Sequence, residues 1–455
     1  MSDLSNRPAM YFKTLTLENI KCFGERQTLD LTKDGITISP WTLILGNNGT
    51  GKTTVLKSLA WMRPVQSPEP VEGGVMLKPF MDDLEDESQF NQLIRVGENR
   101  AASIEATFSI GSDLGQAPEV NALASTGMLF ERIAGKLEKV SPVTFTLPAF
   151  NTLNLFAYGA NRHMGYKNYD QSSLKNDIFN LFSDSGDLYD AEQVLSSLEY
   201  ASLKETGQGK ATALFNKVKQ IMADLLPDIP DPESFFIHSP VSRDGVLQES
   251  YVEVRTPYGE VPLYELSLGY KTMLAWSTDL AIRMIWQNPE LPDPLEQPAV
   301  VLIDEIDLHL HPTWQRSVRE YLVRHFPRTQ FICTAHSPFM AQSSEKENLC
   351  VLHREGNTVI IENDPLVVQG WRIGQVATSN LFGVDSERSP EVEALLNKRR
   401  SILDKPARSP ADEEALKRLD ADLSGLPVTE NGEDQVLLDQ IHAAAELLKA
   451  KGKLP

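Results

Sequence analysis

The feature that most constrains this chain is a glycine-rich loop between an apolar segment and a segment with helical spacing. Residues 41–45 (Trp-Thr-Leu-Ile-Leu) have the continuous apolar character of a buried strand. Residues 46–54 read Gly-Asn-Asn-Gly-Thr-Gly-Lys-Thr-Thr, and residues 55–60 continue with helical periodicity. The loop matches G-x-x-x-x-G-K-[ST] in the strand–loop–helix context that this pattern requires. A phosphate-binding loop is therefore predicted, and a chance glycine-rich turn is the alternative.

The loop also predicts how a nucleoside triphosphate and its metal ion are held. Glycines let the backbone wind closely around phosphates, so that N–H groups and the positive end of the helix face the anion. Lys52 is expected to reach the β- and γ-phosphates of ATP, and the Thr53 hydroxyl to ligate Mg²⁺. The residues predicted to bind the nucleotide here are Gly46, Asn47, Asn48, Gly49, Thr50, Gly51, Lys52, Thr53 and Thr54.

Two carboxylates follow a second apolar segment. Residues 299–303 (Ala-Val-Val-Leu-Ile) are typical of a strand buried on both faces of a parallel sheet, and Asp304 and Glu305 come next. Both side chains are therefore expected at the sheet edge where α/β proteins bind ligands. Asp304 is predicted to hold Mg²⁺, and Glu305 to polarise the water that attacks the γ-phosphate. Taken alone, such a pair also fits the N-cap of a helix.

Two further segments flank the carboxylates in the order that distinguishes classes of phosphate-loop proteins. Before them, residues 266–269 (Leu-Ser-Leu-Gly) precede a helical segment, so Ser267 and Gly269 are candidates for a second anion cradle at a helix N-terminus. After them, residues 331–335 form an apolar strand that is followed by His336. Considered singly, the first feature also fits a plain helix cap and the second a loop histidine.

Together these motifs resemble the ABC-type ATPase head of the RecF, SMC and overcoming-lysogenisation-defect proteins. Residues 15–23 and 304–312 are also similar to parts of those heads. The resemblance implies an α/β fold, a P-loop NTPase with an ABC-type head that has a mixed sheet and a helical lid, to which this chain adds a C-terminal helical segment. It also implies that two heads sandwich two ATP molecules, with Ser267 and Gly269 acting on the partner's ATP. The predicted catalytic residues are then Lys52, Glu305 and the switch histidine His336.

The chain departs from the pattern of this class at two places. The glutamine of the Q-loop is not placed. Residues 156–162 (Phe-Ala-Tyr-Gly-Ala-Asn-Arg) occupy the position where that loop should be, so Arg162 is expected to approach the nucleotide, with a simple turn as the alternative. Leu268 occupies a signature position where a small or acidic residue is common, which leaves the rate of hydrolysis open.

Proline and glycine residues that interrupt regular structure, together with helix-start signals, predict the domain organisation. Residues 1–388 are expected to form the head, with a helical lid at about 163–225 and without the sustained heptads of coiled-coil arms. Residues 389–455 are expected to form a helical tail, in which Ser-Pro pairs at 389–390 and 409–410 start two helices and a third runs from about 434 to 449. The apolar faces of these helices are expected to pack on the head or on another subunit.

Charge and composition restrict the partners. The 455 residues include 43 basic and 63 acidic side chains, which gives a formal net charge of −20. A chain this acidic repels phosphate backbones, so nucleic acid is expected to be contacted through a complex rather than by this chain alone. The sequence has no secretory signal, no run of apolar residues long enough to span a membrane and only 3 scattered cysteines, so a cytoplasmic location is expected.

Among ABC-type heads, the chain is most similar to the PtuA family of the Septu anti-phage systems and its retron-associated relatives, through residues 158–162 and 379–390. This resemblance implies an ATP-hydrolysing subunit of a bacterial defence complex. It also implies head-to-head dimers within a larger oligomer, and a separate HNH nuclease (PtuB-like) as the partner that nucleotide regulates. Two alternatives remain open: a DNA-repair ATPase like RecF, which needs a basic face, and a nucleotide-sensing scaffold with little or no hydrolysis.

Overall fold

A computed structural model describes most of the chain. The described residues are 9–69, 71–72, 74–83, 93–95, 101–111, 114–116, 122–133, 136–147, 153–167, 177–183, 187–205, 209–226, 229, 231–238, 241–243, 246–248, 250–289, 291–344, 348–363, 371–379, 382, 386, 388–405 and 408–423. The chain forms two compact units, residues 1–383 and 384–455. This division lies near the boundary predicted at residue 388.

The first unit contains strands together with helices of 4 to 20 residues, and the described part of the second unit contains two helices. The strands are β1 (Met10–Glu18), β2 (Gln27–Asp30), β3 (Trp41–Gly46), β4 (Pro64–Gln66), β5 (Val75–Pro79), β6 (Ala102–Ile110), β7 (Ala122–Ile133), β8 (Lys136–Val143), β9 (Phe145–Leu147), β10 (Leu155–Tyr158), β11 (His163–Lys167), β12 (Asp187–Tyr189), β13 (Phe235–His238), β14 (Val241–Arg243), β15 (Val246–Gln248), β16 (Tyr251–Thr256), β17 (Gly259–Pro262), β18 (Ala299–Ile303), β19 (Thr329–Ala335), β20 (Asn348–Glu355) and β21 (Thr358–Asn363). The α-helices are α1 (Lys52–Trp61), α2 (Phe179–Phe182), α3 (Ala191–Lys204), α4 (Lys210–Leu225), α5 (Leu268–Gln287), α6 (Pro312–His325), α7 (Pro338–Ser343), α8 (Ile373–Ala377), α9 (Pro390–Leu403) and α10 (Pro410–Leu423).

The first unit is built on a six-stranded sheet with the order β10-β18-β19-β3-β20-β21. Neighbouring strands are parallel from β10 to β20, and β21 pairs antiparallel with β20. Every residue of β3, β18 and β19 is buried, as their continuous apolar sequences predict. Since the phosphate loop follows β3 and the carboxylates follow β18, this topology confirms the α/β fold with a P-loop and a mixed sheet that is expected of an ABC-type head.

Alternate residues of the central strands pack into two cores, one on each face of the sheet. Leu43 and Val301 pack on the face that also buries residues of α3, α4 and α5. Ile44 and Leu302 pack on the opposite face, with residues of α1 and β1. Full burial of such a side chain contributes roughly 1.5–3 kcal/mol relative to exposure, so the central strands are held rigidly from both sides.

A five-stranded antiparallel sheet, β2-β1-β6-β7-β8, contributes to the second core. The side-chain amide of Gln330, on β19, links it to the central sheet. Its oxygen accepts the Phe12 N–H at 3.0 Å, and its nitrogen donates to the Phe12 carbonyl at 2.8 Å. This buried pair of hydrogen bonds fixes β1 against the strand that leads to His336.

The region predicted as a helical lid, residues 163–225, begins with strands. β11 and β12 pair in parallel, and the helices α3 and α4 follow. Asp190 caps α3 by accepting the Glu192 N–H at 2.8 Å. The Tyr189 N–H donates to the buried carboxylate of Asp279 on α5 at 3.1 Å. The lid therefore begins with strands and continues with helices. The hydrogen bond from the Tyr189 N–H to the Asp279 side chain holds the end of β12 against α5.

The second unit contains the two helices that Ser-Pro pairs predict. The Ser389 hydroxyl accepts the Val392 N–H at 3.4 Å at the start of α9. α9 and α10 share a small core formed by Ile402, Leu416 and Leu419. The third helix predicted, residues 434–449, lies outside the described residues. Among the helices that the structure describes, none is both long and apolar enough to cross a bilayer.

Candidate active site

The phosphate loop connects β3 to α1 through three glycines with positive φ. The φ angle is 151° at Gly46, 79° at Gly49 and 88° at Gly51. A Cβ on Gly46 would lie 2.6 Å from the Leu352 carbonyl oxygen, and one on Gly51 would lie 2.5 Å from the Cys22 sulfur. Only glycine therefore fits these two positions, and the loop has the concave backbone that a phosphate group requires.

The remaining residues of the loop form its exposed tip and the start of the helix. Asn47 and Asn48 are exposed, while Thr54 is half-buried on α1. The Thr50 hydroxyl and N–H both donate to the Asn47 carbonyl, at 2.8 and 3.3 Å. These bonds close the turn from within.

Lys52 is the first residue of α1 and lies over the loop. Its ammonium donates to the carbonyl oxygens of Gly46 at 2.7 Å and Asn47 at 3.3 Å, and the residue is only 6% exposed. Burial lowers the pKa of this ammonium, while the carboxylates of Asp304 and Glu305 oppose that effect. The side chain is therefore a cation that can exchange backbone carbonyls for phosphate oxygens.

Thr53 and Asp304, the two predicted metal ligands, are joined directly. The Thr53 hydroxyl donates to one carboxylate oxygen of Asp304 at 2.6 Å, and the Thr334 hydroxyl donates to the other at 2.6 Å. The Thr334 oxygen also accepts the Glu305 N–H at 2.8 Å. Because Asp304 is 4% exposed and both of its oxygens are bonded, its carboxylate is fixed at the end of β18, facing the start of α1.

Glu305 has a backbone conformation that is unusual for a residue other than glycine. Its φ angle is 47°, in the left-handed region, which costs of the order of 1–3 kcal/mol. His336 Nε2 lies 3.9 Å from Glu305 Oε1, and that nitrogen has no hydrogen-bond partner within the described part of the chain. The backbone N–H of His336 donates to the Asp307 carboxylate at 2.9 Å. A carboxylate and an imidazole thus lie side by side next to the Thr53–Asp304 pair.

Arg162 lies behind the two carboxylates. One terminal nitrogen of its guanidinium donates to the carbonyls of Gly159 at 2.9 Å and Asp304 at 2.5 Å, and the other donates to the Glu305 carbonyl at 2.9 Å. Burial lowers its pKa to about 10, against the effect of Asp304, so it stays charged at neutral pH. The structure therefore places Arg162 on the backbone that carries the carboxylates, whereas its expected approach to the nucleotide stays a prediction.

Ser267 and Gly269 lie at the start of α5. Ser267 is exposed, and its side chain makes no capping hydrogen bond to any described residue. Leu268 and Tyr264 beside it are 53% and 58% exposed. Gly269 is buried, and the atoms nearest to a Cβ on it belong to His309 and Trp314. The signature segment thus packs on the loop after Glu305, and Ser267 is the N-cap residue of α5 with its side chain exposed to solvent.

The residues present fit ATP with Mg²⁺. Three glycines with positive φ shape the loop, Lys52 supplies a cation that lies over it, and the Thr53 hydroxyl meets the Asp304 carboxylate beside it. Thr53 and Asp304 would hold the metal ion, which would neutralise charge on the phosphate oxygens.

Two residues of this site had only a weak signal in the sequence. Thr334, which joins Asp304 to the Glu305 N–H, lies two positions before His336. Asp307, which accepts the His336 N–H, lies two positions after Glu305. A polar side chain so close in sequence to a predicted catalytic residue could have indicated that both residues belong to the site. Their hydrogen-bond partners could not be predicted, because these depend on which strands are neighbours.

Two family models match the chain. Residues 158–340 match the "AAA domain, putative AbiEii toxin, Type IV TA system", and residues 14–73 match an "AAA domain". The first range contains Arg162, Ser267, Asp304, Glu305 and His336, and the second contains the phosphate loop. The two matched segments therefore carry between them every predicted site residue.

Similar proteins include a retron ATPase and a Septu protein. The chain is 25% identical to the "Retron Vc95 probable ATPase" of Vibrio cholerae serotype O1 biovar El Tor over 463 residues, covering 89% of this chain and 85% of that protein. It is 25% identical to "Septu protein PtuA" of Bacillus mycoides (strain KBAB4) over 437 residues, covering 93% of this chain but 53% of that protein. The chain thus spans about half the length of this second relative.

Among solved structures, the SMC head domain from Thermotoga maritima matches with a TM-score of 0.39 and 13% identity, over 78% of this chain and 99% of that one. The geometry of the site and the matched AAA domains agree with the sequence motifs. Residues 14–73 and 158–340 are therefore similar to AAA domains, and the chain resembles the Septu protein PtuA of Bacillus mycoides and the retron Vc95 ATPase.

Proposed function

We propose that this chain binds ATP with Mg²⁺ and hydrolyses it to ADP and phosphate. The observation that carries the proposal is the continuous set of hydrogen bonds from Thr53 through Asp304 and Thr334 to Glu305. It joins the phosphate loop to the Asp304 carboxylate and to the backbone N–H of Glu305, so that the proposed metal ligand and general base stand at one edge of the sheet.

Within this proposal each side chain has a distinct task. Lys52 binds the β- and γ-phosphates, and Thr53 and Asp304 hold the metal ion. Glu305 takes a proton from the attacking water, because its side chain is one third exposed and its own backbone is fixed. His336, 3.9 Å from that carboxylate, is placed to contact the γ-phosphate.

We further propose that two copies pair head to head, with Ser267 and Gly269 of each completing the site of the other. The support is that Ser267 is exposed and uncapped by its own side chain among the described residues, and that Leu268 and Tyr264 leave an apolar surface around it. Such a patch is typical of a surface that another protein covers.

Glu305→Gln tests both parts of the proposal, because it keeps the shape of the site and removes the base. ATP should then convert monomers to stable dimers in light scattering, and ATP turnover should fall at least about 100-fold. Ser267→Arg in the same background should prevent the dimer without weakening ATP binding by the single chain. Turnover at the wild-type rate in Glu305→Gln would exclude Glu305 as the base.

We propose that the biological role is anti-phage defence, in a complex where this ATPase regulates a separate HNH nuclease. The support is the similarity to proteins named Septu protein PtuA and retron ATPase, together with the acidic chain, which fits DNA cleavage by another subunit. Larger oligomers and contact with nucleic acid through the partner follow from the same proposal.

Co-expression tests this role. The chain and an HNH protein encoded beside it should co-purify and should lower phage plating efficiency, and Lys52→Ala should abolish the protection while leaving the complex intact. If the chain alone shifts DNA in a salt-dependent way, a RecF-like repair ATPase is favoured instead. If wild type binds ATP and pairs but never turns it over, the nucleotide-sensing scaffold is favoured, a reading that the exposed Leu268 in the signature keeps open.

A further inference from the structure

The guanidinium of Arg162 donates hydrogen bonds to backbone carbonyls, including that of Glu305, the proposed base. It is 3% exposed and donates to three carbonyl oxygens, those of Gly159, Asp304 and Glu305. We propose that Arg162 is a positioning residue, which aims the Glu305 carboxylate by holding the carbonyl groups on either side of the Glu305 N–H. This inference rests on the proposed function, since it assigns a task within the same site.

The backbone of Glu305 needs such a restraint. Its φ angle of 47° is one that residues other than glycine rarely adopt, and it persists only where the surroundings determine it. Here the N–H is bound by the Thr334 hydroxyl at 2.8 Å, and the carbonyl is bound by Arg162 at 2.9 Å. Both polar groups of the peptide backbone at this residue are therefore held, and the direction of its side chain follows.

The chemistry of arginine suits this task. The planar guanidinium presents several donors in a rigid fork, so it can bridge the carbonyls of Asp304 and Glu305 at the same time. One terminal nitrogen already has two acceptors, the carbonyls of Gly159 and Asp304, and so has no hydrogen left for a phosphate. Lysine has no such fork and would bind fewer of these carbonyls.

The first test separates positioning from nucleotide binding by kinetics. Arg162→Met should lower kcat about 100-fold, since a shift of the base by about 1 Å is enough for such a loss, while the Kd for ATP stays within about threefold of wild type. Arg162→Lys should give an intermediate kcat, and it also serves if the methionine variant fails to fold. A Kd that rises by the factor lost from kcat would overturn the inference and make Arg162 a nucleotide contact.

The second test does not depend on turnover. The Glu305 N–H donates to the Thr334 hydroxyl, and the Ile306 N–H donates to the Thr334 carbonyl at 2.9 Å, so neither bond includes Arg162. In nucleotide-free Arg162→Met these two amides should nevertheless exchange hydrogen about 10-fold faster, because the loop is released. The matched control is Arg95→Met, which removes a guanidinium bound to the Cys22 and Asn357 carbonyls and should leave exchange at 305–306 unchanged.

The two tests also distinguish failure of this inference from failure of the proposed function. Unchanged exchange at residues 305–306 in both Arg162 variants would overturn the positioning role even if wild type hydrolyses ATP. If wild type binds ATP without hydrolysing it, the proposed hydrolysis fails, and the exchange experiment alone decides whether Arg162 holds this backbone.

Discussion

The α-carbon of Gly269 faces the carbonyl oxygen of His309 so closely that a Cβ would lie 2.4 Å from it. Gly269 is the second residue of α5, the helix that follows Ser267, and His309 ends the turn that starts at Glu305. His309 itself has a φ angle of 65°, so the turn is in the left-handed region at both ends. The signature helix and the loop of the carboxylates are therefore in backbone contact within one chain.

Gly269→Ala should separate these two elements. A methyl group cannot be accommodated at 2.4 Å from a backbone oxygen, so the start of α5 must shift, at a cost of about 1–3 kcal/mol in the free energy of unfolding. ATP affinity of the single chain should be unchanged, while ATP-dependent dimerisation in the Glu305→Gln background should weaken at least about 10-fold. Light scattering and urea unfolding measure the two effects, and normal dimerisation would contradict the prediction.

Lys52→Ala should abolish ATP binding. The ammonium of Lys52 lies over the carbonyls of Gly46 and Asn47, and alanine cannot replace its charge. At ATP concentrations about 100 times its Kd, wild type should gain about 2.7 kcal/mol of stability in thermal unfolding, and the variant none. Lys57→Ala is the matched control on the same helix, because its ammonium lies 5.4 Å from the centre of the Phe182 ring.

Thr53→Val should impair metal use rather than nucleotide binding. Valine keeps the shape of threonine but removes the hydroxyl that lies 2.6 Å from the Asp304 carboxylate. The Mg²⁺ concentration for half-maximal ATP turnover should rise at least about 10-fold, and Thr53→Ser should restore it. If valine and serine variants behave alike, the hydroxyl is not a metal ligand.

Arg283→Met should be among the most destabilising substitutions in the first unit. Asp279 is fully buried, accepts hydrogen bonds from the Tyr158 hydroxyl at 2.9 Å and from Arg283 at 2.7 Å, and Arg283 also binds Asp177 at 3.1 Å. Loss of the cation leaves two carboxylates uncompensated, which costs about 3–5 kcal/mol in urea unfolding. Removing the exposed arginine of the Arg255–Glu260 pair should cost about 0–1 kcal/mol.

Glu192 should make stability fall as pH rises towards neutrality. Burial, and secondarily the charge of Asp190, raises the pKa of its carboxyl from 4.5 to about 7. The folded chain therefore holds a proton between these values that the unfolded chain releases, so this contribution is complete below pH 4.5 and is lost as pH rises through about 7. Glu192→Gln should be stabilised relative to wild type at pH 8 and not at pH 4. Equal pH dependence of the urea midpoints would contradict this assignment.

Much of the site was predictable because it depends on local backbone. The pattern around Lys52 requires a loop between a strand and a helix, and both are where the sequence indicates them. Asp304 follows a strand that is buried along its whole length, so its place at the sheet edge also follows from sequence. The starts of α9 and α10 at Ser-Pro pairs were predictable for the same local reason.

Two features were not predictable because their partners are distant in sequence. The two strands at the start of the lid pair with each other across a gap in the sequence, and the Tyr189 N–H donates to Asp279 on α5. The hydroxyl of Thr334 reaches Asp304 and Glu305 only because β18 and β19 are neighbours. Neither relationship leaves a pattern in the residues themselves.

Arg162 shows which properties of the site follow from sequence and which follow only from the tertiary structure. The sequence alone predicted that an arginine follows a strand-like segment, and that Lys52, Asp304 and Glu305 are candidates for ATP binding and hydrolysis. Only the tertiary structure decided that its guanidinium meets the carbonyls of Asp304 and Glu305. The physical reason is that hydrogen-bond donors are a property of the residue type, whereas the acceptors within reach are set by how β10 packs beside β18.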